Sequence, residues 1–135
     1  MSYSIDEIEG IGPTYAAKLG EIGIKTTEAY LERAKDPKGR KALEEETGID
    51  GKRILKWANM ADLMRISGVG EEYSELLEAA GVDTVKELKH RNAANLAEKM
   101  GEVNEEKKLV RQVPSESQVT KWVEQAKELP PMMTY

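Results

Sequence analysis

A chain of 135 residues that is 33% charged and 39% hydrophobic, with a formal net charge of −5, has the makeup of a soluble helical protein of one domain or two small ones. The absence of cysteine excludes a disulfide framework, a thiolate nucleophile and a cysteine-based metal site, while the net acidity weighs against a general attraction to nucleic acid. No apolar run is long enough to cross a bilayer and Met1–Glu7 lacks the features of a signal peptide, so the cytoplasm is the expected compartment.

In chain order, Ser4 and Glu7 have the spacing of a capping box for a very short helix, with Ile5 and Ile8 facing inward. The string Ile8-Glu9-Gly10-Ile11-Gly12-Pro13-Thr14-Tyr15-Ala16-Ala17-Lys18-Leu19 follows. Its two glycines let the backbone turn sharply between helices, the apolar residue between them anchors the turn, and Pro13 sits where its missing N–H costs nothing. The next helix, from about Thr14 to Ile22, should stop at Gly23. Thr26 then caps a helix through Tyr30 and Leu31, and Asp36-Pro37 opens one that runs to Glu46 and ends at Gly48.

Gly48-Ile49-Asp50-Gly51-Lys52-Arg53 is a further turn, and the helix after it places Ile54, Leu55, Trp57, Ala58 and Ala61 on one face. Asp62 has the position of a cap for a short helix leading into Ile66-Ser67-Gly68-Val69-Gly70-Glu71-Glu72-Tyr73-Ser74-Glu75-Leu76-Leu77. This second string matches the first without a gap at a shift of 58 positions, from Gly10 to Gly68, and Gly23-Ile24-Lys25-Thr26 likewise falls on Gly81-Val82-Asp83-Thr84. The chain therefore reads as a duplication, with a first unit over 1–64 and a second over 65–135.

The second unit keeps the plan at first: Thr84 and Glu87 form a capping box, Asn92 caps a helix to about Met100, and Gly101 ends it. Lys121-Trp122-Val123 corresponds to Lys56-Trp57-Ala58, but the stretch between is longer, and Glu105 to Val113 is predicted to be an added helix. Ser115 and Gln118 cap the last helix, with Val119, Trp122, Val123, Ala126 and Leu129 on its apolar face. Pro130-Pro131 stops it, and Met132 to Tyr135 should be a frayed or docked tail.

The glycine strings resemble the helix-hairpin-helix superfamily, whose pattern is apolar-x-Gly-apolar-Gly-x-x-x-Ala-x-x-apolar. The first copy fits throughout, with Ala16 at the alanine; the second has Ser74 there. The tandem arrangement is also similar to a family of small bacterial proteins built from such repeats, of uncharacterised function. The fold implied is all-α: tandem helix-hairpin-helix repeats packed as one compact helical domain, without a sheet.

The resemblance implies a non-enzymatic module that binds the backbone of duplex DNA without sequence specificity, backbone N–H groups at the hairpin and the helix dipole holding phosphate oxygens. Gly10, Ile11, Gly12, Thr14 and Lys18 are the candidate contacts at the first hairpin, with Gly51, Lys52 and Arg53 at the following turn. The second hairpin carries Glu71-Glu72 where DNA-binding members usually carry Lys or Arg, which suits a structural role or a basic protein partner. The alternative function is therefore a protein-interaction or scaffold module. From Arg33 to Lys56 eight basic and five acidic residues give a local +3, so convergence of basic segments on the first hairpin would favour the nucleic-acid reading. His90 is the only histidine and has no triad or metal-ligand spacing around it, so no catalytic residue, metal, cofactor, small-molecule substrate or membrane is expected.

Overall fold

The computed structural model describes residues 3–135, in which a 3-10 helix, Ile5–Glu7, and eight α-helices make up the regular structure. These are α1 (Pro13–Glu21), α2 (Thr27–Ala34), α3 (Pro37–Thr47), α4 (Gly51–Leu63), α5 (Glu71–Ala79), α6 (Val85–Leu88), α7 (Ala93–Lys107) and α8 (Glu116–Glu128). The fold is all-α; among the described residues the one β-type pairing is an isolated antiparallel bridge between Ser4 and Thr26.

Local chemistry accounts for the starts of six of these helices. Thr26, Asp36, Asp50, Thr84, Asn92 and Ser115 each accept a hydrogen bond from the backbone N–H three residues on, satisfying donors that a helix cannot satisfy internally. Ser115 and Gln118 close a full capping box; at α6, Glu87 reaches back to the N–H of Asp83 rather than Thr84, so the predicted box there is half formed. The remaining two helices, α1 and α5, begin at Gly12 and Gly70 and have no side-chain cap.

Two apolar cores follow one another along the chain. The first gathers Ile8, Ile11, Leu19, Tyr30, Leu43, Ile54, Trp57 and Met60. The second gathers Leu63, Ile66, Val69, Leu76, Leu77, Leu88, Met100, Val119 and Trp122. α4 joins them, for Met60 and Ala61 lie in the first and Leu63 in the second.

The two glycine strings adopt the same conformation. Gly10 and Gly68 have φ of 94° and 93°, and the N–H of Ile11 and of Val69 donates back to the carbonyls of Ile8 and Ile66 at 3.1 Å in both. Beneath each turn lies a tryptophan: a Cβ on Gly10 would stand 3.2 Å from Trp57 Nε1, and one on Gly68 the same distance from Trp122 Nε1. Tyr15 meets Trp57, and Tyr73 meets Trp122, with ring centroids 5.2 Å apart in each pair.

Three sequence expectations are corrected. Glu105 to Val113 is not an added helix, because α7 passes through Gly101 and continues to Lys107. The buried Val103 extends the helix's apolar stripe beyond that glycine. Termination falls instead to Lys108, at φ 51°, followed by a loop that the Asn104 carboxamide pins by bonding both the N–H and the carbonyl of Val110. Second, Asp62 caps no helix of its own; it lies buried within α4 and accepts from the N–H of Val85 at 2.8 Å, at the start of α6. Third, no separate short helix leads into the second hairpin: the chain turns there directly from the end of α4. The C-terminal tail is docked, and Met133 is buried in the first core.

Alanine at Gly10 or Gly68 must take a positive φ and press its methyl towards an indole, so each variant should lose about 1–3 kcal/mol. Gly20→Ala, in the last turn of α1 with open space around it, is the control and should be neutral or stabilising. Chemical denaturation of the three variants checks this.

Candidate functional site

Around the first hairpin, Ile11 is buried and holds the turn down, while Gly12, Pro13 and Thr14 are exposed at the start of α1 and Lys18 is exposed in its last turn. In the first turn of a helix the backbone N–H groups have no intrahelical acceptor, so those of Thr14 and Tyr15 face outward. Gly12 has φ −84°, a value open to any residue, and a Cβ there would meet nothing within 4 Å. The fold itself imposes no glycine at that position. The same holds at Gly70, with φ −107° and no neighbour within 4 Å.

The first hairpin and the start of α4 come together. Lys52 and Arg53 are exposed on the first turn of α4, and the Arg53 guanidinium lies 5.7 Å from the centre of the Tyr15 ring on α1. Arg53 is not free, because it forms an ion pair with Asp50. The carboxyl of Asp50 is held below its ordinary range, first by the backbone N–H of Arg53 and further by the Arg53 guanidinium. The N-terminus of α4 thus has its own carboxylate in place. Gly51 is flanked as well: a Cβ there would lie 2.9 Å from Glu44 Oε2. Of the turn's candidates, Lys52 and Arg53 are both exposed but only Arg53 is seen against the first hairpin's helix; Lys52 lines a shallow pocket with Glu78 and Asp83, and Gly51 faces an acid.

The other basic segments have partners of their own. Arg33 pairs with Glu46, Lys35 with Glu32 at 2.9 Å, and Arg40 donates to the carbonyls of Ala34 and Thr134 at 2.9 and 2.7 Å. Arg91 reaches Glu87 at 3.9 Å on the second core's side. Among the described residues, the basic side chain seen against the first hairpin's helix is Arg53, on Tyr15, so the basic segments do not gather there as a group.

The two hairpins also touch through acids, a contact that the reading of the residues did not anticipate. Glu9, just before Gly10, meets Glu71, the first residue of α5. The Glu71 carboxyl is pushed up from 4.5 to about 7, first by its hydrogen bond with Glu9, then by burial and by the charges of Glu9, Glu72 and Glu7. The α5 dipole favours a charged Glu71, but a second carboxylate in contact outweighs it. Farther along α5, burial raises Glu75 and Glu78, opposed in both by Lys56 and Lys107. The spacing of acids around the glycines, Glu9 before one pair and Glu71 after the other, was the available signal; only the tertiary arrangement brings them together.

Among the described residues no group of three or more His, Asp or Glu could hold a metal, and no helix is long and apolar enough to cross a membrane. Residues 9–129 match the family described as Domain of unknown function (DUF4332), and the chain belongs to that family. No curated protein and no solved structure matches the chain.

Because folding raises the Glu71 pKa, its contribution to stability is fully present below about 4.5 and is lost as pH rises through about 7. The denaturation midpoint of the parent should therefore fall between pH 5 and pH 8 more than that of Glu71→Gln, and the variant should be the more stable at pH 8. Parallel pH curves for the two proteins would mean that folding does not raise the Glu71 carboxyl.

Proposed function

We propose that this DUF4332 protein is a non-enzymatic helix-hairpin-helix module, made of two copies of one unit, whose first hairpin contacts the backbone of duplex nucleic acid without reading its sequence. The observation that carries this reading is Gly12, an exposed helix-opening glycine that no intramolecular contact or backbone angle requires, on the helix whose Tyr15 holds the exposed Arg53. Absence of a side chain there leaves the N–H groups of Gly12 and Thr14 within reach of a phosphate oxygen. Lys18 and Lys52 add unspecific attraction, and Arg53, steadied on Tyr15, presents a planar donor set suited to phosphate. The shared conformation of the two glycine strings, down to the indole beneath each, supports descent from one unit.

The second hairpin contributes no phosphate contact in this reading, because Glu71 and Glu72 stand at the equivalent helix start. The contact is therefore single-sided and weak, with partial neutralisation of the Glu9–Glu71 pair limiting repulsion near neutral pH. One observation favours a second reading, a basic protein partner: the gathering of Glu7, Glu9, Glu71 and Glu72 between the hairpins.

Titration of a labelled duplex at rising salt tests the first reading. Binding should weaken with a log–log slope near −2 to −3, at about 0.9 per phosphate. Gly12→Glu and the pair Lys52→Glu, Arg53→Glu should each weaken it by about tenfold or more, and Glu71→Lys should strengthen it. No duplex binding at low salt overturns the reading; binding of a polylysine peptide that Glu71→Lys abolishes would then establish the second.

A further inference from the structure

After α8 the chain leaves the second core and crosses to the first. Arg65, paired with the buried Asp62 at 2.8 Å, donates to the carbonyl of Pro130 at 2.7 Å where the crossing begins. Met133 is 6% exposed and belongs to the first core. The N–H of Thr134 donates to the carbonyl of Lys35 at 2.8 Å, and the Thr134 carbonyl accepts from Arg40 at 2.7 Å. Arg40 also spans to the Ala34 carbonyl and lies 5.5 Å from the centre of the Tyr135 ring, while the Tyr135 hydroxyl donates to Asn59 Oδ1 at 2.8 Å. The segment thus holds the end of α2, the start of α3 and the middle of α4.

Its attachment is of a kind that opens before the cores do. Pro130 and Pro131 have no N–H to bond, so undocking breaks few backbone hydrogen bonds. Packing along the segment is incomplete: an open pocket of about 260 Å³ is lined by Leu129 and Met132 together with Glu28, Leu31 and Glu32 of α2 and Ala61 of α4. Tyr135 is 67% exposed. One buried methionine and a few hydrogen bonds, among them those of Arg40, Arg65, Thr134 and Tyr135, make the anchorage.

We propose that residues 130–135 are a releasable strap that ties the second core to the first: docked on Met133 and Arg40 it steadies α2, α3 and the two cores' relative position, and released it opens the groove between α2 and α4 while both cores stay folded. The inference does not depend on what the hairpins bind.

Amide hydrogen exchange on the full chain tests it, comparing the parent with Met133→Asp and the milder Arg40→Ala, which keeps the apolar plug and should fold if the first variant does not. In the parent, the amides of Met132 to Tyr135 should exchange at least about tenfold faster than those of the buried middle of α4. In Arg40→Ala, exchange in 130–135, α2 and α3 should rise about tenfold or more while α7 and α8 keep their parent rates. The proposal is overturned if the tail exchanges as slowly as α4 in the parent, if the variants speed α7 as much as α2, or if neither variant changes exchange in α2 and α3.

Discussion

A glycine seated on an indole, once at Gly10 on Trp57 and once at Gly68 on Trp122, is the contact on which the rest of the structure depends. The positive φ removes the choice of any other residue, and the distance of 3.2 Å from a would-be Cβ to the indole nitrogen closes the space a side chain would need. Each turn is thereby joined to a helix that comes much later in the chain. The tyrosine one turn into the following helix packs on the same indole, so turn, helix start and distant helix are fixed relative to one another by one aromatic pair. At the first hairpin the same pair positions the candidate site, since Tyr15, already packed on Trp57, is the surface on which the Arg53 guanidinium rests.

Equal backbones carry unequal charge. Proline opens α1 and two glutamates open α5, and the second arrangement faces Glu9 across the contact between hairpins. The raised Glu71 carboxyl eases the repulsion that closeness brings and makes the joint pH-dependent. A more permanent joint lies deeper. The Asp62 carboxylate, in the body of α4, satisfies both the first N–H of α6 and the guanidinium of Arg65, which in turn holds the Pro130 carbonyl. Near the chain's start the equivalent donor, the N–H of Thr27, is satisfied by the backbone carbonyl of Tyr3 at 2.8 Å. A side chain does in one place what main chain does in the other.

How much of this the sequence disclosed follows from the range over which each interaction acts. Caps at Thr26, Asp36, Asn92 and Ser115 involve residues three apart, and all four were legible from spacing alone, whereas Asp50 was read only as part of a turn. Asp62 misled because an Asp before a turn reads as a local cap, whereas its partner lies 23 residues on. Gly101 misled in the opposite direction: glycine ends a helix only where the chain needs a left-handed residue, and here the buried Val103 and the bonds of Asn104 hold the helix together for another turn. For the site, Gly12, Thr14, Lys18, Lys52 and Arg53 were legible as exposed groups. The seating of Arg53 on Tyr15, the acid beside Gly51 and the Glu9–Glu71 contact belong to tertiary structure and leave no periodic trace.

The contrast among helix starts bears on what the hairpins are for. Six helices begin with a side-chain cap, which replacement by alanine would typically weaken by about 1 kcal/mol each. The two that forgo it begin at Gly12 and Gly70, where φ is negative, space is open and Ser or Asp would fit. Stability alone therefore gives no reason for glycine at either position, whereas Gly10 and Gly68 are fully explained by the fold. At Gly70 the neighbouring Glu71 and Glu72 place negative charge at the helix start and supply some of what a cap would have given. At Gly12 no acid stands in the first turn of α1, and Pro13 removes one of the donors needing a partner. The N–H groups left over are the ones a ligand oxygen would meet, which is why the first hairpin, and not the second, is where binding is to be sought.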